Sequence, residues 1–209
     1  MAAGGCHARS MAEKPPPSNP PTKADIDSCR RCELGEKATQ GVIGEGPAHT
    51  RLMLVGEQPG HEEDVRGRPF VGPAGQLLRA LLAEAGIPES RVYITNAVKH
   101  FRFELRGKRR LHKTPLQRHI AACNDWLERE IASRQPKVIV TLGATALRAV
   151  LGRAISIGDA RERELARGDG TPVIATYHPS ALLRAPDPEV AARLRAALVA
   201  DLKRADGIR

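Results

Sequence analysis

Leu52-Met53-Leu54-Val55 runs directly into Gly56-Glu57-Gln58-Pro59-Gly60, and this stretch decides the fold. Four apolar residues closed by glycine and proline are too short for a helix and read as a buried strand ending in a turn. The same unit returns over 92–94, 138–142 and 173–175, with helix-length amphipathic segments over 75–85, 115–134, 144–151 and 188–203. Strands alternating with helices predict an α/β fold, a three-layer αβα sandwich around a central, mainly parallel four-stranded sheet. No internal repeat is evident.

In such sheets ligands gather beyond the carboxyl ends of the strands, so the unusual residues should follow the strands. They do: Glu57 and Gln58 follow the first, Asn96 the second, Gly143 the third, and Tyr177-His178-Pro179-Ser180 the fourth. Glu57, Asn96 and His178 are therefore expected on one rim, although each alone reads equally well as an ordinary turn residue.

The 209 residues carry 33 Lys and Arg against 24 Asp and Glu, a net charge of +9 that points to a polyanionic partner. With 41% hydrophobic residues a core is expected rather than disorder throughout. One Trp, two Tyr and three Phe are too few for a broad base-stacking platform. No apolar run reaches membrane-spanning length and the N-terminus lacks a secretory core, so no membrane association is expected. The expected location is the cytoplasm, with the nucleoid in a bacterial cell, and the expected state a monomer. Residues 1–24, rich in proline, read as a disordered tail, and 25–209 as the single domain. Cys6 falls in the tail and reads as a free thiol.

Disulfides are not expected in a reducing compartment, so the spacing of the other cysteines needs a reason. Cys29 and Cys32 form a C-x-x-C knuckle, Cys123 is a third thiol, and His100 is the natural fourth ligand. This set suits zinc as well as an iron-sulfur cluster, and spacing does not separate them; two buried thiols or a redox pair are the plain alternative.

The densest basic stretch is 102–113, with Lys108, Arg109, Arg110 and Lys113. It reads as a solvated phosphate-binding run, except that His112 stands inside it and would be carried to whatever the arginines hold. Phe70 sits in a Gly- and Pro-rich loop, Arg68-Pro69-Phe70-Val71-Gly72, placed either to plug the core or to stack on a flat ligand.

Taken together, the Gly56 to Gly60 motif, the Phe70 loop, Thr95-Asn96, the cysteine set and His178-Pro179-Ser180 resemble the iron-sulfur uracil-DNA glycosylases. Lys108-Arg109-Arg110-Leu111-His112-Lys113 resembles the extra basic loop of the UdgX type, whose members become covalently joined to uracil-containing DNA. The resemblance implies the αβα fold of that family and a structural [4Fe-4S] cluster on Cys29, Cys32, His100 and Cys123, zinc being the lesser choice. Most relatives carry cysteine where His100 stands, and His61 stands where the resemblance implies an acidic residue. For the substrate, it implies Phe70 stacking on an extruded uracil, Asn96 reading its polar edge, and Gly56, Gln58 and Asp64 beside the base. It places His178 at the uracil O2, and Ser180, Arg184 and the basic loop against the DNA backbone, single-stranded first.

Breaking the N-glycosidic bond leaves an oxocarbenium-like sugar that something nucleophilic must capture. The resemblance makes His112 that trap, oriented or deprotonated by Glu57, giving an enzyme that acts once. Two alternatives stand beside it: a conventional turnover glycosylase using water, and a zinc-stabilised nucleic-acid-binding protein without catalysis.

Overall fold

A computed structural model describes residues 19–208. Residues 1–18, with Cys6 and most of the stretch read as tail, lie outside the described residues. Within the described residues Thr22 caps a short helix, α1 (Lys23–Asp27), through a reciprocal capping box with Asp25. α2 (Leu34–Lys37) follows the C-x-x-C pair.

β1 (Leu52–Gly56) is buried at every residue, which explains a run with no polar alternation. α3 (His61–Arg66) and α4 (Pro73–Ala85) come next, α4 opened by Pro73 in its first turn and closed by Gly86 in the left-handed conformation. β2 (Val92–Asn96) pairs with β1, and the chain then forms a hairpin of β3 (Phe103–Arg106) and β4 (Arg109–His112). α5 (Gln117–Arg134), β5 (Val138–Leu142), α6 (Ala144–Leu151), α7 (Ile157–Arg161), β6 (Leu165–Ala166), β7 (Pro172–Thr176), α8 (Pro179–Leu183) and α9 (Pro188–Gly207) complete the order.

The sheet runs β2-β1-β5-β7-β6, with the first four strands parallel and β6 antiparallel to β7. The expected four strands are thus joined by a fifth, whose two residues are too few to carry an alternation signal. Successive residues of β1 serve opposite faces. Met53 and Val55 pack with Ile120, Leu127 and Leu147 of α5 and α6, while Leu52 and Leu54 pack with Leu78, Leu82, Leu198 and Leu202 of α4 and α9. That is the three-layer sandwich, and it aligns the four parallel strands so that their carboxyl ends share one rim.

The segment read as a basic loop is a regular hairpin instead. Gly107, at φ +59°, takes the left-handed turn position between Arg106 and Arg109 that a two-residue connection requires.

Candidate active site

Gly56 and Asn96 are register partners at the ends of β1 and β2, and Leu142 and Thr176 at the ends of β5 and β7. Beyond those ends lies a cavity of about 700 Å³, within the usual range for small-ligand sites. Its lining brings together Glu57, Gln58, Phe70, Asn96, His112, Gly143, His178, Ser180 and Arg184, all named from the sequence, and adds Glu63, Thr114 and Thr145.

Phe70 sits at φ +53°, a strained conformation for an aromatic residue. Two contacts hold it there. The Arg79 guanidinium donates to its carbonyl at 2.5 Å, and Gly75 lies so close beneath that an added Cβ would stand 1.7 Å from the Phe70 oxygen. Glu63 fastens the loop that carries it, accepting from Gly60 N–H at 3.0 Å and Gly72 N–H at 2.8 Å. The Phe70 ring faces His178, with centroids 6.1 Å apart. Asn96 is 2% exposed and its Oδ1 has no partner, a buried acceptor left for a ligand.

His178 caps α8: the Ser180 N–H donates to its Nδ1 at 3.1 Å, and the Ser180 hydroxyl lies 2.7 Å from the same atom. With Nδ1 accepting a main-chain hydrogen bond, the ring proton is assigned to Nε2, free to donate into the cavity. Burial, then the nearby charges of Arg184 and His112, push its pKa down to about 4, so the donor is neutral imidazole.

His112 ends β4, with its Nε2 2.9 Å from the Gln58 amide nitrogen and 3.6 Å from Glu57 Oε1. Burial holds its pKa below 6.5 against the opposing pull of Glu57. Glu57 is itself aimed by Thr145, whose hydroxyl donates to its other oxygen at 2.6 Å. Thr145 and Glu63 were not found from the sequence. The one local signal is Glu63 at the third position of α3, where its carboxylate can accept from the N-cap main-chain N–H of Gly60.

Three of these side chains have partners that the sequence does not reveal. Gln58 lines the cavity but its amide is spent on the hairpin: it accepts from Arg102 N–H at 3.0 Å and donates toward the carbonyls of Lys113 at 3.0 Å and Arg102 at 3.2 Å. Asp64 is 0% exposed and lies outside the cavity lining. Arg110 is turned inward rather than presented to a phosphate; it pairs with Asp64 at 2.5 Å, donates to His61 Nδ1 at 3.0 Å, and lies over the rings of Phe101 and Phe103. His61 thereby finds its role as an acceptor latching the hairpin to α3. Lys108 and Arg109 remain exposed at the hairpin turn, and Lys113 pairs with Glu104 at 2.8 Å.

The side chains of Arg110 and Asp64 are 16% and 0% exposed, so removing either strands a buried charge. Asp64→Ala is expected to lower unfolding free energy by about 3–5 kcal/mol and to raise amide exchange across residues 103–112. A loss under about 1 kcal/mol in urea unfolding would overturn the latch.

Cys29, Cys32 and Cys123 are free thiols; Cys32 packs against the core cluster that contains Cys123 of α5, and Cys29 packs on Trp126 of the same helix. Burial pushes the Cys123 thiol up to about 11 and raises Cys32, so thiolates here call for a cation. The sulfurs are met by N–H groups: the Trp126 indole donates to Cys29 at 3.4 Å, and the main chains of Leu34 and Lys99 approach Cys32 and Cys123. His100, 2% exposed, uses the backbone of Ile26 as a partner and leaves Nε2 buried without one. Among the described residues no three His, Cys, Asp or Glu converge tightly enough to share one ion. A polynuclear cluster, offering separate irons to its ligands, does not require such convergence. Also among them, no helix is long and apolar enough to cross a membrane.

Comparison with known proteins agrees with this geometry. The model of the Uracil DNA glycosylase superfamily matches residues 43–203. The Type-4 uracil-DNA glycosylase of Thermotoga maritima is 44% identical over 160 residues, covering 76% of this chain and 80% of that protein. The Type-4 enzyme of Archaeoglobus fulgidus is 36% identical over 169 residues, with 78% and 81% covered. The Type-5 enzyme of Pyrobaculum aerophilum is 31% identical over 176 residues, with 77% and 74% covered. With most of its length matched and its strand-end residues gathered on one cavity, the chain belongs to the uracil-DNA glycosylase superfamily.

Proposed function

We propose that this protein excises uracil from DNA and that His112 then captures the sugar, leaving a covalent protein-DNA product. The observation that carries the second step is the position of His112 Nε2 in the cavity that also holds Phe70, Asn96 and His178. The target nucleotide leaves the base stack, because its reacting bond is inaccessible within it. Phe70 supplies a flat face for the base, Asn96 a donor and an acceptor for its edge, and Gly56 the space beside it. Lys108, Arg109, Ser180 and Arg184 take the backbone of single-stranded or duplex DNA.

As the C1′–N1 bond breaks, its electron pair goes to the departing uracil. Neutral His178, with Nε2–H directed into the cavity, stabilises the charge that collects at O2 without a proton transfer. The sugar becomes cationic at C1′, beside the carboxylate of Glu57. The lone pair on His112 Nε2 closes the new bond to C1′, and the imidazolium so formed loses its Nδ1 proton to solvent. Neutral imidazole has no easy route to leave again, so turnover stops.

Cys29, Cys32, His100 and Cys123 fit a [4Fe-4S] cluster better than a single zinc ion. When bound, the cluster would supply a structural cross-link among the α1–α2 segment, the end of β2 and α5. No redox step is assigned to it.

The test is incubation with a short uracil-containing oligonucleotide beside a thymine control. A uracil-dependent band that survives heat and detergent on a denaturing gel is expected; excision without that band would leave the conventional, water-using glycosylase. The same assay carries a pH prediction. The reactive form of His112 is neutral and burial lowers its pKa from 6.5, so crosslinking should decline in acid with its midpoint below 6.5. A midpoint above 6.5 would count against His112 as the trap.

A further inference from the structure

Lys99 and Glu130 form an ion pair at 2.6 Å in which both side chains are 0% exposed. Such a pair adds little net stability, since desolvation offsets the attraction, so its place in the fold calls for another reason. Its hydrogen bonds supply one. Lys99 Nζ donates to Glu130 Oε2, to Thr95 Oγ1 at 2.8 Å and to the Asn96 main-chain carbonyl at 2.8 Å. Glu130 Oε2 also accepts from the Thr95 hydroxyl at 2.7 Å, while its Oε1 accepts from Gly44 N–H at 2.9 Å and the Tyr93 hydroxyl at 3.3 Å. All three ammonium hydrogens are used, and three members of the network, Tyr93, Thr95 and Asn96, belong to β2, the last two at its carboxyl end. Movement of one member breaks bonds to the others.

The same lysine reaches toward the cysteine region through its main chain. Its N–H lies toward the Cys123 sulfur, its carbonyl accepts from Val42 N–H at 2.8 Å, and His100 is the next residue. Asn96, on the other side, has its carboxamide in the cavity with Oδ1 unpartnered.

We infer that Lys99, held by Glu130, is a positioning residue for uracil recognition: it fixes the Asn96 main chain, and with it the aim of the Asn96 carboxamide, relative to α5, which carries Glu130 and Cys123, and to the neighbouring His100. The inference rests on the reading of the cavity as the uracil site. Lys99 touches no substrate; it acts through Asn96.

Lys99→Met combined with Glu130→Leu removes both charges at similar volume and leaves neither stranded. In the full-length protein, the single-turnover excision rate at saturating enzyme is expected to fall by at least about tenfold, because a misaimed group costs rate more than binding. Apparent affinity for uracil DNA should stay within about threefold, since phosphate contacts dominate it. The thermal midpoint should fall, because Gly44 N–H and the Tyr93 hydroxyl lose their acceptor, while any visible cluster absorption should stay close to wild type and the side-chain amide resonances of Asn96 should shift. In an Asn96→Ala background the same pair of substitutions should cost almost nothing further. A folded variant with an unchanged rate and an unshifted Asn96 signal would overturn the inference, as would an equal loss in the Asn96→Ala background. Should the double variant not fold, Thr95→Val keeps the ion pair and removes one hydroxyl of the network; an unmoved Asn96 signal there has the same negative meaning. If the wild type releases no uracil, the reading of the cavity fails, while the Asn96 resonance still decides whether Lys99 aims that side chain.

Discussion

Replacing His112 with alanine is expected to abolish the covalent product, a loss on the order of 10³-fold or more, the scale seen when a covalent nucleophile is removed. Uracil release should continue. The His112 side chain is 49% exposed, so its removal opens no deep cavity, and the Gln58 amide keeps the Arg102 and Lys113 carbonyls as partners. Phe70, Asn96 and His178 stay in place, each fixed by contacts that do not pass through His112: Arg79 and Gly75 hold Phe70, Lys99 holds Asn96, and Ser180 holds His178. Water enters the vacated space, and the products become free uracil and an abasic site over repeated turnovers. The check is a denaturing gel for the crosslink alongside a cleavage assay for abasic sites. A variant that still crosslinks would move the nucleophile elsewhere. One that folds but neither crosslinks nor excises would make His112 part of bond breaking itself.

Much of this arrangement could be read before any coordinates. The apolar runs at β1, β2, β5 and β7 lack polar alternation because each is covered on both faces, and that alone selects a parallel sheet between helical layers. Once the sheet is parallel, residues just after the strands must share a rim, which is how Glu57, Asn96 and His178 come together from positions far apart in the chain. The charged residues were harder. Lys108, Arg109 and Arg110 are consecutive, yet only Arg110 turns inward, because strand alternation places it on the face of the hairpin that packs toward Asp64 and His61. A run of like charges hides that period, so the sequence gives no sign that Arg110 and Asp64 pair with each other. Gln58 does line the cavity, but a glutamine there gives no local sign that the main chains of Arg102 and Lys113 engage its amide.

Gly56→Ala should be nearly as damaging to excision as the loss of His112 is to crosslinking, and by a different route. The glycine does not have a left-handed backbone, so its need is for space alone. An added Cβ would stand 2.4 Å from Asn96 Oδ1 and 2.5 Å from Phe70 Cζ, closer than real contacts allow. Neither neighbour can easily withdraw. Phe70 is pinned between Gly75 and the Arg79 guanidinium at a backbone angle it would not choose freely, and Asn96 is bonded through its carbonyl to a fully buried lysine. The methyl therefore either displaces the two side chains assigned to the base or fills the space between them. Overpacking of this kind costs about 1–3 kcal/mol of stability, which a folded domain can sustain. A displacement near 1 Å at a reacting site costs about 10²-fold in rate, so excision is expected to fall at least that far. Gly168→Ala makes the same chemical change where a Cβ meets nothing within 4 Å, and should leave the rate untouched. Single-turnover excision by the two variants, with their unfolding curves, separates the outcomes: a Gly56→Ala enzyme as fast as the Gly168→Ala control would mean that the base does not lie between Phe70 and Asn96.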